Sequence, residues 1–476
     1  KDAVRHVLHS RDRVTIVRGA AGAGKTSAMQ EVREAAEASG VTIHAFAPSS
    51  GASRGVLRSE GFHDADTVAA LLANPKLQDK VRGSLILIDE AGLVGMRTMN
   101  AVFDLAAKQD ARVLLVGDER QHGPVERGSA LRLLEDEAGL HPAEIKEIQR
   151  QKERYKAAIE DLSEGRTAKG FKRLDDLGWI REIDDEHRDR ALATAYVDSV
   201  ESGASTLVVS PTHAEGNRIT RAIRHTLRER GILDADGRAF PELIPANLTL
   251  GQKRDVASYQ SGDVLVFHQN ATGHRKGERL VVGQNEVPFD LAERFTVYRQ
   301  SRLDLAPGDH LRITRNGRSV DNKSLNNGDL YRVDHFTPEG DLVVSGIDKR
   351  DRATKTIPMD YGHLTHGFVV TSHASQGKTV DRVIIGQSSR SFAASSKEQF
   401  YVSASRARKQ ALVFTDDKDE LLQAVSHGDE RISGTELVAG MTDQHRRIVL
   451  DRLAEQQRGA ELPITTRDHE GIEHER

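Results

Sequence analysis

The sequence predicts an α/β chain in which two sets of parallel strands alternate with helices, the second set being interrupted by a small β-barrel. Three observations carry this. The β-branched run Val14 to Val17 leads through a glycine-rich turn into a helical pattern. Apolar runs at Leu85 to Ile88, Val113 to Val116, Thr206 to Val209 and Phe368 to Thr371 stop at small or polar residues, as strands buried on both faces of a parallel sheet do. Between about Leu250 and Asp360 the helical periods vanish and short strands punctuated by Gly-Asp turns replace them.

The first unit is VTIVRGAAGAGKT, Val14 to Thr26. Gly19, Gly22 and Gly24 let successive backbone N–H groups converge on phosphate oxygens, and the helix N-terminus adds positive potential. In such a cradle Lys25 reaches the β/γ-phosphates and the Thr26 hydroxyl holds Mg2+. The helix that follows stops at Gly40, a good C-terminal cap. Ile43 to Ala47 is the next strand, broken by Pro48-Ser49-Ser50-Gly51. Ligands of open α/β sheets sit at that carboxyl edge, so Ser49 and Ser50 are placed to touch a nucleic-acid backbone. The same residues fit a simple turn with a helix cap equally well.

Leu85 to Ile88 ends in Asp89-Glu90. In a nucleotide hydrolase the first of such a pair holds Mg2+ and the second orients and deprotonates the attacking water. Val113 to Val116 runs into Gly117-Asp118-Glu119-Arg120-Gln121, where the neutral amide of Gln121 can bond both a γ-phosphate and a group on the nucleic-acid side. From about Pro142 the pattern is helical and highly charged. Within it Arg150 can grip a phosphate as a planar fork, although a solvated helix charge explains it as well.

Thr206 to Val209 opens the second set of strands, and Ser210-Pro211-Thr212 echoes Pro48-Ser49-Ser50. The barrel-like region repeats one turn at Gly262-Asp263, Gly308-Asp309, Gly328-Asp329 and Gly340-Asp341, and Asn316-Gly317 signals a hairpin. Its basic patch His274-Arg275-Lys276 is placed on a loop where it could touch nucleic acid, though a solvated loop is the simpler account. Strands resume at Phe368 to Thr371, then Arg382 to Ile385 and Ala411 to Thr415. Arg406 and Arg408, two apart, cannot share one direction on a helix and so have different neighbours.

Bulk properties narrow the function. The 476 residues carry a net charge of −4, so a nucleic-acid partner needs a locally basic channel rather than a global field. The absence of cysteine excludes disulfides and thiolate metal sites and fits a reducing cytoplasm. No apolar run approaches the roughly 18 residues that span a bilayer. The chain opens at Lys1 inside a helical pattern, which reads as a segment of a longer protein. The polar end beyond about Gly459 reads as a linker or a disordered tail.

Taken together, GAAGAGKT, APSSGASR, LILIDEA, LLVGDERQHGPV, EIQRQ, VTSHASQGKTVD and FYVSASRAR resemble the ordered motifs of superfamily 1 helicases of the RecD-like branch. Closer still, they resemble the helicase region of conjugative relaxase-helicases of the MobF type. The resemblance covers about Asp2 to Leu422. It implies two RecA-like domains, at 1–165 and at 166–249 with 361–425, and a β-barrel inserted at 250–360; beyond them the sequence reads as a C-terminal helix and tail at 426–476. It further implies ATP and Mg2+ as ligands and 5′→3′ travel on single-stranded DNA up to duplex junctions, with a relaxase domain or conjugation partners lying outside this segment.

Carried over by residue, the resemblance makes Lys25 and Thr26 the phosphate and Mg2+ ligands, Asp89 and Glu90 the metal and water-activating pair, and Gln121 the γ-phosphate sensor. It makes Arg150 and Arg406 the two arginines that stabilise charge on the transferring phosphoryl and puts Gly377 at a γ-phosphate contact. Ser49, Ser50, His373 and Ser375 fall in its DNA-contacting motifs. Two departures stand out. Ala374 replaces a residue that is basic in many relatives, and the glutamine that the family places before the first helix to read adenine is not in this sequence. No histidine triad or tyrosine cluster of a DNA-nicking domain is present. The rival readings are the motor subunit of a recombination nuclease and a non-processive DNA-binding scaffold.

Overall fold

The computed structural model describes residues 2–126, 128–347 and 354–428, all within the compact unit Lys1–Asp429. The expected C-terminal tail, from 429 onward, lies outside the described residues.

The first lobe is a parallel sheet of β1 (Val14–Gly19), β2 (Ile43–Ala47), β3 (Asp66–Thr67), β4 (Leu85–Ile88), β5 (Arg112–Gly117) and β6 (Ala143–Ile145), in the order β3-β2-β4-β5-β1-β6. Its central strands are runs of Val, Ile and Leu because both faces are covered: every residue of β4 is buried, with Ile86 and Ile88 in one apolar cluster and Leu85 and Leu87 in the other. The register Arg18↔Gly117 sets the glycine turn after β1 level with Asp118. Asp89, which follows β4, comes out along the same carboxyl edge.

The second lobe repeats the plan. Its parallel sheet runs Val369–Thr371, Thr206–Ser210, Val380–Gly386, Ala407–Thr415, Ile180–Glu182. Helices Asp185–Glu201 and His213–Glu229 cover one face. Helices Glu153–Ser163, Thr167–Asp176 and Lys397–Ala404 cover the other, and the Ala21 side chain of the glycine turn is part of that same apolar cluster. Tyr155, Ala158, Ile159 and Leu162 thus belong to the second core, although they precede residue 166.

β structure between the strands of the second lobe extends beyond 250–360 at both ends, from Arg238 to His366. It forms two larger antiparallel sheets, of four strands (Arg279–Val281, Val264–Phe267, Phe295–Leu305, Arg238–Pro245) and five strands (Lys355–Ile357, Leu342–Gly346, Leu330–Phe336, His310–Ile313, Leu364–His366), and a two-stranded ribbon of Gly317–Arg318 with Ser324–Leu325. The expected barrel is therefore not found as such: no closed barrel occurs among the described residues. The cluster around Phe267 and Phe295 belongs to the four-stranded sheet, whereas the cluster around Leu311 and Val333 also takes Phe240, Leu303 and Leu305 from that sheet, so the two sheets share a core. The Gly-Asp repeat has a physical role. Gly262, Gly308 and Gly328 take φ of +90°, +97° and +91°, and the next Asp carboxylate accepts the N–H three residues back, from Gln260, Ala306 and Asn326.

This region is fastened to the second lobe by Arg224, whose Nε and Nη2 each lie 2.8 Å from a carboxylate oxygen of the fully buried Asp309, with Asp304 at 3.0 Å. Towards the first lobe it makes lighter contacts, Ser50 Oγ to the Asn327 carbonyl and Arg54 Nη1 to Asn326 Oδ1, both at 3.4 Å. No helix among the described residues is long and apolar enough to cross a membrane.

Candidate functional site

The glycine turn is built as a cradle. Gly22 and Gly24 both adopt φ +79°, a left-handed conformation that side chains disfavour, and a Cβ at Gly22 would stand 2.6 Å from Arg150 Cβ. Helix Lys25–Ala38 starts directly from Gly24, which leaves its first N–H groups open towards the turn. The Lys25 ammonium is folded back onto the Gly19 carbonyl at 2.7 Å. Burial pushes the Glu60 carboxyl up, while Thr26 and Arg150 draw it down, and Glu60 Oε2 is buried without a hydrogen-bond partner among the described residues.

Asp89 and Glu90 follow on the neighbouring sheet edge. Burial, then the adjacent Glu90, push the Asp89 carboxyl up, while Lys25 draws it down. Glu90 sits at φ +52°, an uncommon conformation for a side-chain-bearing residue and of the kind that collects at functional sites. Its Oε2 accepts a hydrogen bond from Gln376 Nε2 of the second lobe at 3.1 Å. Thr26, Asp89 and Glu60 offer hard oxygen donors, which suit Mg2+. Gln121 is 3% exposed; its Nε2 donates to Asp118 Oδ2 at 3.2 Å, and its Oε1 is buried and unpaired.

The two arginines meet over this cradle. The backbone N–H groups of Gln149 and Arg150 both donate to the Gly22 carbonyl, which fixes that segment on the turn, and Arg150 Nη1 donates to the Ser405 carbonyl at 2.8 Å. Arg406 is 2% exposed; its Nε donates to the Val402 carbonyl and its Nη2 to Ser405 Oγ, at 2.8 and 2.9 Å. Neither guanidinium has an ion-pair partner among the described residues. Burial, then repulsion by Arg406, lower Arg150 to about 10. Burial lowers Arg406 as well, with Glu90 the leading attraction pulling it back up. Two guanidiniums are thus held on neutral acceptors beside the glycine turn. The fully buried Gln151 clamps the arginine turn through the Ser405 and Ala407 carbonyls at 3.0 and 2.6 Å, and Tyr155 Oη donates to the Ala404 carbonyl.

The residues expected at DNA are less uniform. Ser49 is exposed, its Oγ accepting the Ala52 N–H at 3.1 Å, so the helix-cap reading holds for it as well. Ser50 faces Asn327, as described. His373 is exposed and stacks on the buried His122 with ring centroids 3.6 Å apart, and His122 Nε2 lies 2.7 Å from Ser372 Oγ. Ser375 does not present a contact surface. It is fully buried and its hydroxyl donates to the Ser372 carbonyl at 2.6 Å, because in a one-turn helix the nearest free carbonyl captures it. Gly377 takes φ +79° and faces Val56 of the first lobe. His274 of the basic patch is paired with Glu278 at 2.8 Å.

Glu60, Asp118, Gln151, Gln376 and Tyr401 were not singled out from the sequence. Asp118, Gln151, Gln376 and Tyr401 lie inside the quoted motifs and carry that much signal. Glu60, in a helical turn with no pattern around it, carried none.

Comparison with known proteins agrees with this geometry. Residues 1–185 match the AAA domain model, and residues 310–415 match the viral superfamily 1 RNA helicase core domain. The chain is 28% identical over 399 residues to the probable conjugal transfer protein TraA of Sinorhizobium fredii, covering 80% of this chain and 29% of that protein. It is 23% identical to the multifunctional conjugation protein TraI of Escherichia coli K12, covering 90% and 28%. It therefore spans less than a third of these relatives. Among solved structures, Bacteroides Pif1 bound to ssDNA aligns with a TM-score of 0.53 at 15% identity over 96% of both chains. Pif1 helicase from Candida albicans aligns with a TM-score of 0.51 at 17% identity, over 96% and 97%. At such identities the likeness concerns the fold.

Proposed function

Starting from a chain with superfamily 1 helicase-core sequence, homologous to the conjugal transfer proteins TraA and TraI, we propose that it is an ATP-driven DNA helicase: a motor that hydrolyses ATP to move along single-stranded DNA and open duplex at junctions. The observation that carries this reading is the pair of guanidiniums, the half-buried Arg150 and the buried Arg406, held without carboxylate partners beside the glycine turn. A pair of like charges with no acid bonded to either favours a polyanion that arrives from outside. An arginine finger supplies roughly 10³ to 10⁵ in rate in phosphoryl transfer.

Thr26 and Asp89 would hold Mg2+, which neutralises charge on the phosphates. Glu90, oriented from the second lobe by Gln376, takes the proton of the attacking water. Gln121 reads the γ-phosphate, Lys25 leaves the Gly19 carbonyl for the phosphates, and Gly377 brings a backbone group towards the same place. Nucleotide anion bridging the turn and the two arginines draws the lobes together, and loss of the transferred phosphoryl releases them. Ser49, Ser50 and His373 line the track that alternately grips the strand. The direction is 5′→3′ and the setting conjugation, with a strand-nicking domain elsewhere in the full protein. A scaffold without turnover is disfavoured because Lys25, Asp89, Glu90, Gln121 and Arg406 are all present.

The test is hydrolysis of ATP with and without single-stranded oligonucleotide, and unwinding of duplexes bearing either a 5′ or a 3′ tail. Lys25→Ala is expected to abolish both activities while the fold survives. Near-normal turnover in that variant would remove the cradle from the mechanism, and preferential unwinding from a 3′ tail would reverse the direction.

A further inference from the structure

We infer that Tyr401 is a positioning residue that ties the phosphate turn, the Gln121 sensor and the Arg406 turn together through one hydroxyl. The inference rests on the motor reading above and assigns that site a residue so far without a role.

Tyr401 lies on helix Lys397–Ala404 of the second lobe and is 1% exposed. Its ring packs in the cluster that contains Ala21 and Ile148, a task that phenylalanine would also perform. The hydroxyl is different. At that depth it must be paired, and both its partners are in the first lobe: it accepts the Ala21 N–H at 2.8 Å and donates to Asp118 Oδ2 at 3.1 Å. The same Asp118 oxygen accepts Gln121 Nε2 at 3.2 Å, while Oδ1 accepts the Arg120 N–H at 3.1 Å. Burial and Asp118 raise the phenol well above its ordinary range, so it keeps the proton that this arrangement needs.

The consequences follow from connectivity. Ala21 is in the turn that receives phosphate, Asp118 orients the amide that reads it, and Ser405 and Arg406 directly follow the helix that carries Tyr401. Removing the hydroxyl leaves the ring in place, unpairs the Ala21 N–H, takes a donor from Asp118 and frees the Gln121 amide to turn. Reaction geometry is lost while most ground-state nucleotide contacts stay.

The experiment compares wild type, Tyr401→Phe, Asp118→Asn and the double variant. It measures ATP hydrolysis at saturating single-stranded oligonucleotide, ADP affinity by calorimetry, and thermal midpoint. For Tyr401→Phe we expect kcat to fall about tenfold to a hundredfold, with KM for ATP and the Kd for ADP changed less than about threefold and the thermal midpoint close to wild type. The double variant should lose less than the product of the two single losses, because both act through one hydrogen bond. Unchanged kcat in Tyr401→Phe, multiplicative losses, or an ADP affinity that falls as far as kcat would each overturn the assignment. Failure of the wild type itself to hydrolyse ATP would instead remove the motor reading on which it rests.

Discussion

The two lobes are alike in plan and opposite in chemistry. Each is a parallel sheet, and the candidate cleft is where residues that follow their strands meet. The first lobe meets that cleft with backbone: the glycines of the phosphate turn, the N–H groups of a helix start, and acids directly after a strand. The second meets it with long side chains, Gln376, Tyr401 and Arg406, that reach from short helices. Backbone sites are shaped by their own strand and turn, whereas side-chain sites depend on the partner lobe being in place. The first lobe should therefore bind nucleotide by itself, and the second should contribute to turnover rather than to affinity.

Substitutions on the two faces separate these roles. The largest effect is expected for Arg406→Ala, with hydrolysis reduced by about 10³ or more and ADP affinity nearly kept in calorimetry; equal loss of both would make this arginine structural. Gln376→Ala releases Glu90 from its only cross-cleft hydrogen bond found among the described residues and should lower kcat by roughly tenfold, measurable under saturating ATP. A wild-type kcat would show that Glu90 is held by its own backbone.

A smaller effect concerns pH. Burial, then His373, hold the His122 imidazole down to about 3 against an ordinary 6.5. Between those values the unfolded chain takes up a proton that the folded chain refuses, so stability falls as pH drops from about 6.5 towards 3. His122→Leu should flatten that slope in denaturant titrations at several pH values; an unaltered slope would place the acid sensitivity elsewhere. Smallest of all, Ser375→Ala should cost about 1 kcal/mol of stability and leave oligonucleotide affinity unchanged, since its hydroxyl is spent inside its own turn. Weaker binding in a fluorescence titration would return it to the track.

The same asymmetry decides what could be read in advance. The cradle, Asp89, Glu90 and Gln121 were legible because spacing along one strand and one turn fixes them. Arg150 stayed ambiguous as a bare charge until motif order was considered, since its neighbour Ser405 is far away in the chain. Tyr401 and Glu60 were missed for the same reason: their partners are brought to them by folding. Ser375 was misplaced because a motif gives identity without direction. The β region is recognisable by texture and turns, but whether strands close into a barrel depends on pairing between distant edges, and among the described residues they pair as separate sheets, none of them closed.

One feature of that β region bears on how a strand is admitted. Among the described residues it is riveted to the second lobe by the buried Arg224–Asp309 fork and meets the first lobe at Asn326 and Asn327 through two 3.4 Å hydrogen bonds. Of the two seams the latter is the weaker, and it lies beside Ser50. If it acts as a side door, DNA need not be threaded by an end, and a covalently circular single strand should stimulate hydrolysis as well as a linear one of the same length.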